Sequence, residues 1–288
     1  MTRGQNGALA KGAFRLDLSF RYTDEDVKLQ GSRPVEDVYV PKIAFPYRSI
    51  WPAFHRAVDA SERFMQMDLG YGLSSRWTLV ASLPLDARRE HTIAHFGYTQ
   101  RYRTSGIGDA LVGARFVVRP GLVAGLSVQV PTGRHRLDGD FDGSILDPSL
   151  QPGSGACGFV ATVQQSGRIS GLDLGWTVAA SYQANTTSDL EYRFGDGAIA
   201  AVNLSRPIAG RLSASLQGKL FHQTRSTYIA RDVPSTGMTF IYVTPGLHVD
   251  VPGAVTVYGL LQMLGHRYVN DMQLVPRIAF LAGLSKTF

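Results

Sequence analysis

Phe14-Arg15-Leu16-Asp17-Leu18-Ser19-Phe20-Arg21-Tyr22 puts every apolar side chain on an even position and every polar or charged one on an odd position. An extended chain sends successive side chains to opposite faces, so the stretch predicts a β-strand with one apolar face and one wet face. The same alternation sets Met65, Met67, Leu69, Tyr71 and Leu73 against Gln66, Asp68, Gly70 and Gly72. After Ser74-Ser75-Arg76 it resumes, with Trp77, Leu79, Ala81, Leu83 and Leu85 opposite Thr78, Ser82 and Asp86. Two such runs around a tight turn predict a hairpin.

Working outward, Ala110, Val112, Ala114, Phe116 and Val118 oppose Asp109, Gly113 and Arg115, then turn at Arg119-Pro120-Gly121 into Leu122, Ala124, Leu126, Val128 and Val130. Phe159, Ala161 and Val163 precede a turn near Ser166-Gly167, followed by Leu172, Leu174, Trp176, Val178, Ala180 and Tyr182. Further strands are expected at 197–205, 211–221, 238–251, 254–264 and 273–288, which makes about 12 in all.

Two features separate a membrane barrel from a soluble sandwich. The apolar face carries no charge in the middle of any segment, the exception being Lys286 beside the terminus. Connections also alternate in length, with short turns at 74–76, 119–121, 166–170, 206–210 and 252–254 against long loops at 23–61, 87–105, 132–155, 184–196, 222–237 and 265–272. Short periplasmic turns and long extracellular loops are the habit of outer-membrane barrels. The expected fold class is therefore all-β: a closed antiparallel up-and-down transmembrane β-barrel, with residues 1–288 forming a single domain. Closure removes the unpaired edges that hydrocarbon does not tolerate. Tyr71, Trp77 and Phe288 are expected at the inner interface, and Tyr22, Phe64 and Tyr182 at the outer. Phe288, an aromatic at the C-terminus of the last strand, reads as the assembly signal that barrel-assembly machinery receives.

Composition agrees. Hydrophobic residues make up 44% of 288 residues, mean hydropathy is -0.04, and no uninterrupted apolar run of about 18 residues exists to form a membrane helix. Alternating strands average to such a hydropathy. Cys157 is the lone cysteine, so no internal disulfide is expected. Met1-Thr2-Arg3-Gly4-Gln5-Asn6-Gly7 lacks the apolar core of a secretory signal peptide, as expected of a mature chain. The net charge of +6 comes with no lysine-rich run, which argues against nucleic acid as a partner and fits an anionic lipid surface or a biased lumen.

Gly106-Ile107-Gly108-Asp109-Ala110-Leu111-Val112-Gly113-Ala114-Arg115-Phe116, then Val130-Pro131-Thr132-Gly133-Arg134, then Leu150-Gln151-Pro152-Gly153-Ser154-Gly155, together resemble an outer-membrane family known as the meta-pathway of phenol degradation. Its members have a Gly-x-Gly-Asp strand opening, a Pro-Thr-Gly strand end, a Gln-x-Gly-x-Gly segment and an aromatic terminus, matched here by Gly283-Leu284-Ser285-Lys286-Thr287-Phe288. The likeness covers mainly residues 77–160 and the tail. It implies a barrel that passes small organic molecules, with aromatic and hydrophobic ones among the candidates. The long first loop, holding Phe45-Pro46-Tyr47-Arg48-Ser49-Ile50-Trp51-Pro52-Ala53-Phe54, lies outside the motif.

A barrel of this size encloses more space than side chains fill, so water, a solute or an infolded loop occupies it. Expected lumen-lining residues are Arg15, Asp17, Arg21, Asp68, Asp109, Arg115, Asp173, Arg211, Lys219 and Arg277, with the aromatics Phe221, Phe240, Tyr242 and Tyr258. These charges either orient a solute or satisfy one another in ion pairs that stiffen the wall. Glu90, His91 and His95 offer a candidate metal site, against the plainer reading of a solvated loop. Asp138, Asp140 and Asp142 could take Ca²⁺ but lack the later Glu of an EF-hand. Gly106-Ile107-Gly108 is no phosphate cradle, because a strand follows it.

The expectation is an outer-membrane channel or porin-like transporter working by diffusion, without cofactor and without enzymatic activity. Its partners are outer-membrane lipid, the barrel-assembly machinery and a small organic solute. The alternatives are a structural barrel whose extracellular loops bind a partner protein, and an outer-rim lipid-modifying enzyme: His222 and Ser226 fall at the end of a strand there with no motif joining them to an acid, while His248 with Asp250 falls at the periplasmic end.

Overall fold

The computed structural model describes residues 9–45, 47–95, 97–139 and 144–288; Met1–Gly7, Asp140 and Asp142 lie outside them. The strand reading of Phe14–Tyr22 holds and extends: β1 is Phe14–Gly31. It is followed by β2 (Ser49–Gly72), β3 (Trp77–His95), β4 (Ala110–Arg119), β5 (Leu122–Val130) and β6 (Gly158–Ile169). Then come β7 (Leu174–Asn185), β8 (Gly197–Ala209), β9 (Leu212–Gln223) and β10 (Met238–Val251).

The last extended element, Val255–Thr287, has 33 residues, which is too long for one stave in a bilayer crossed by about 9–11 residues. Its first part pairs antiparallel with β10 as far as Val269, and its second pairs antiparallel with β1 from Met272 onward. Thr287 N donates to Ala254 O at 3.3 Å, which brings the two ends of the element side by side. It is therefore a hairpin of two staves, β11 (255–269) and β12 (272–287), turning at Asn270 and Asp271, the latter at φ 55°. With β12 on β1 and β1 on β2, twelve antiparallel staves close on themselves.

Phe14, Phe20, Trp77, Leu126, Tyr182 and Phe280 all stand on the exposed exterior. An apolar outer wall of this kind faces lipid. At the inner rim the Phe14 and Phe288 rings lie 5.9 Å apart and those of Trp77 and Phe116 4.8 Å apart, which sets two of the three aromatics expected there, Trp77 and Phe288, in ring contacts. Phe64 departs from the outer one: the Arg21 guanidinium sits 5.1 Å above its ring, on the lumen side. Lys286 lies over the Phe288 ring at 4.4 Å, where the interface shelters its charge.

Three expected loops are corrected. Segment 265–272 is strand with a two-residue turn, while 23–61 and 87–105 are largely β-structure that raises the wall beyond the membrane. Val38–Ala44 pairs along the outer part of β2, and Tyr98–Thr104 along that of β3. The period-two signal fails there for a physical reason. Above the hydrocarbon both faces are wet, so Asp24-Glu25-Asp26 or Arg88-Arg89-Glu90 extends the ladder without alternating. By contrast β4 and β5 have only 10 and 9 residues, and the rim is low on that side.

Candidate functional site

The interior is a string of cavities. At the periplasmic end, one of about 320 Å³ is lined by Arg15, Asp17, Asp68 and Arg115. Each belongs to a different strand except the first two, and strand parity turns all four inward. Tyr258 Oη donates to Asp17 Oδ1 at 2.8 Å, Arg15 Nε donates to Ser285 Oγ at 3.0 Å, and Gln66 Nε2 donates to Asp68 Oδ1 at 2.8 Å. Higher up, Arg21 pairs with Glu62 at 2.7 Å, and Lys219 donates to Gln262 Oε1 at 3.0 Å while its ammonium sits 4.5 Å from the Tyr242 ring. Arg21 and Lys219 therefore hold their places in the wall by pairing across strands.

Beside them the lumen turns apolar. Phe240 meets Phe221 at 6.5 Å and Tyr242 at 5.8 Å, and packs with Leu29, Val269 and Val275. Three expected lumen residues are elsewhere. Asp173 sits at a periplasmic turn, φ 49°, paired with Arg168, and Arg211 lies in the tight turn between β8 and β9. Arg277 is 64% exposed beside Asp26 at the outer end of β12. Turns and a local irregularity in the β1–β12 register break the parity from which these three were inferred.

The middle of the lumen is built by the three motif segments. Asp109, just before β4, accepts from Gly133 N at 2.9 Å, Ser154 N at 2.8 Å, Ser154 Oγ at 2.5 Å and Gln129 Nε2 at 3.2 Å. Thr132 Oγ1 donates to Gly108 O at 3.0 Å and accepts from Ala110 N at 2.9 Å. Gly133 and Gly153 touch backbone to backbone, so that a Cβ on Gly153 would stand 2.4 Å from Gly133 C. This knot holds residues 151–154 in the lumen, over a second cavity of about 320 Å³ lined by Gln129, Gln183, Asn185 and Gln223. The spacing of the motifs did not announce that they share one carboxylate.

An outer cavity of about 500 Å³ follows, lined by Glu25, Glu62, Arg89, His91, Met238 and Met272. Burial pushes the His91 imidazole down to about 4 against the opposing charge of Asp59, so it is neutral at physiological pH. His95 does not share its surroundings. Its ring lies 4.9 Å from His55 and is stacked on Tyr98 at 4.8 Å. Residues four apart on a strand are separated by about 13 Å, which no single metal ion spans. Among the described residues no group of three or more His, Cys, Asp or Glu is placed to hold a metal, so the His91–His95 expectation is corrected.

Above this cavity the outer loops close over the mouth. Ile43 and Phe45 of the first loop pack with Tyr192, Tyr228 and Val233 from loops after β7 and β9, all buried. Phe45 meets Tyr228 edge-on at 5.1 Å, and Arg48 pairs with Glu191. Tyr192–Arg193, Thr227–Tyr228 and Arg231–Asp232 form a small sheet of their own. The hydroxyl, imidazole and carboxylate groups considered for a rim enzyme each have a different partner. His222 Nδ1 lies 2.9 Å from Thr239 Oγ1, Ser226 Oγ accepts from Gly195 N, and Asp250 accepts from Thr256 while His248 meets Ser215.

No family model matches the chain, and no curated protein is similar to it. Among solved structures, the fold is similar to an outer membrane channel from Pseudomonas putida F1, with TM-score 0.70, 11% identity and full coverage of both chains. It is also similar to the β domain of the Bordetella autotransporter BrkA, with TM-score 0.56 at 8% identity over 96% of this chain and 100% of that one. A third similarity, to a mutant of the TodX monoaromatic hydrocarbon channel, has TM-score 0.51 at 13% identity over 98% and 91%. The fold is that of a bacterial outer-membrane β-barrel.

Proposed function

We propose that this chain is an outer-membrane channel or porin-like transporter that passes small organic solutes, aromatic and hydrophobic ones among them, by diffusion. The observation that carries the reading is the series of three cavities along the barrel interior, of about 320, 320 and 500 Å³, lined by charged, carboxamide and aromatic side chains. A barrel serving only as a scaffold has no need of spaces the size of a small ligand. The fold it shares with the Pseudomonas putida channel and with TodX supports the same reading. The clasp at the mouth makes outward opening part of the cycle. Reconstitution in a planar bilayer tests this, with discrete conductance steps expected; a membrane that stays silent at every voltage and pH overturns it.

A second reading is favoured by one observation: Tyr47, at 72% exposure, and Trp51, Phe54 and Tyr98 stand exposed on the raised outer wall. They suit a protein partner at the extracellular loops. Binding to whole cells that is lost in Trp51→Ala would support it. Phe288 stands 62% exposed at the inner rim, and we propose that it is an aromatic contact for the barrel-assembly machinery.

A further inference from the structure

The middle cavity is lined by five carboxamides. Gln129 ends β5, Gln183 and Asn185 end β7, Gln223 ends β9, and Gln151 comes from the infolded chain after β5. Their orientations are set by one another. Gln183 Nε2 donates to Gln129 Oε1 at 3.0 Å and to Asn185 Oδ1 at 2.9 Å. Gln129 Nε2 donates to Ser154 Oγ at 3.0 Å, and Asn185 Nδ2 and Gln223 Nε2 both donate to Gly195 O, at 2.9 and 3.3 Å. Such a network fixes which end of each amide faces the space.

What it leaves over points to a ligand. Among the described residues the Oε1 atoms of Gln183 and Gln223 accept no hydrogen bond from the protein, and neither is sealed away from the cavity. The charges nearby are already committed: Asp109 to its four donors, and Arg89 to Glu62 and to the carbonyls of Ser149 and Gln151. Phe194 and Phe221 supply apolar surface on the same cavity. Two fixed acceptors, no free charge and aromatic side chains together match one kind of solute.

Building on the channel reading, we propose that this cavity is a binding station for a neutral ring that carries hydroxyl groups, its hydroxyls donating to Gln183 and Gln223 and its face resting on Phe194 and Phe221. A hydrocarbon would leave both acceptors unpaired, and a carboxylate would bring a charge with no free partner. The ring can be a saturated polyol or a polyhydric aromatic, and the test separates them.

Saturation-transfer NMR on the detergent-solubilised protein reads binding directly, whether or not current flows, so its failure is distinct from failure of the channel reading. The probes are myo-inositol, resorcinol, 1,3-dimethoxybenzene and benzoate. Transfer to resorcinol, to inositol or to both is expected, and whichever binds identifies the source; 1,3-dimethoxybenzene, the same aromatic ring without donors, should bind at least about tenfold more weakly than resorcinol. Gln183→Leu and, separately, Gln223→Leu should each weaken binding about tenfold, with folding checked by heat-modifiable migration. The proposal is overturned if neither hydroxylated ring binds, if 1,3-dimethoxybenzene or benzoate binds as well as resorcinol, or if a folded variant binds as wild type does.

Discussion

Asp109 accepts four hydrogen bonds from three residues, and two of its donors belong to Ser154. A hydrogen bond to a charged group is worth roughly 1.5–3 kcal/mol, and losing the carboxylate strands several donors at once. Asp109→Ala is therefore expected to release Gly133 and the segment around Ser154 from the lumen at a cost on the order of 3 kcal/mol, read as rapid protease cleavage within 131–139 and 144–157 while the barrel keeps its strand circular dichroism. Gly153→Ala should do the same for a steric reason, since its Cβ would fall 2.4 Å from the Gly133 backbone. If both variants resist cleavage as wild type does, the knot does not hold that segment.

The clasp is an element of marginal stability, because among the described residues its core is five buried side chains. Tyr228 is 1% exposed and anchors it. Truncating a buried aromatic costs about 3–5 kcal/mol, so Tyr228→Ala should open the mouth and raise the single-channel conductance or open probability; an unchanged record would place the gate elsewhere. The exposed Arg48–Glu191 pair contributes far less, as surface ion pairs do. Acid should loosen the same loops. Asp271 is held below the ordinary 3.8 by the hydrogen bond from Arg225, and Asp189 is held low by Arg136 and His135 although burial pushes it up. Groups with lowered values stabilise the folded form above 3.8, and that stabilisation is lost as pH falls through their folded values. Protease access to 186–196 and 224–237 should thus rise below about pH 3.8, reversibly and before the barrel unfolds. Access that is flat with pH would show that these pairs do not secure the loops.

Twelve staves place the start of β1 and the end of β12 on one side and the tall wall of β1, β2 and β3 on the other. Cys157 provides a native reporter of that orientation: it is exposed and directly precedes β6 at the outer end. A bulky maleimide that cannot enter the barrel should label Cys157 on intact cells. In a Cys157→Ser background, Ser75→Cys in the β2–β3 turn should stay unlabelled until the outer membrane is permeabilised. The reverse pattern would invert the topology.

Within the membrane the sequence alone was sufficient for the strands and the inward set Arg15, Asp17, Asp68 and Arg115, because lipid on one face and water on the other force a period of two. It was misleading for Asp173, Arg211 and Arg277, where turns and an irregular register break that period, and for 23–61 and 87–105, where both faces are wet. It was silent on the sharing of Asp109 by three motifs, on the carboxamides around the middle cavity and on the clasp. Those groups come from strands far apart in the chain, and only closure of the barrel brings Gln129, Gln183 and Gln223 around one space. Solvent on two sides of a strand leaves its mark locally in the sequence, whereas the contents of the lumen depend on which strands curvature sets facing each other.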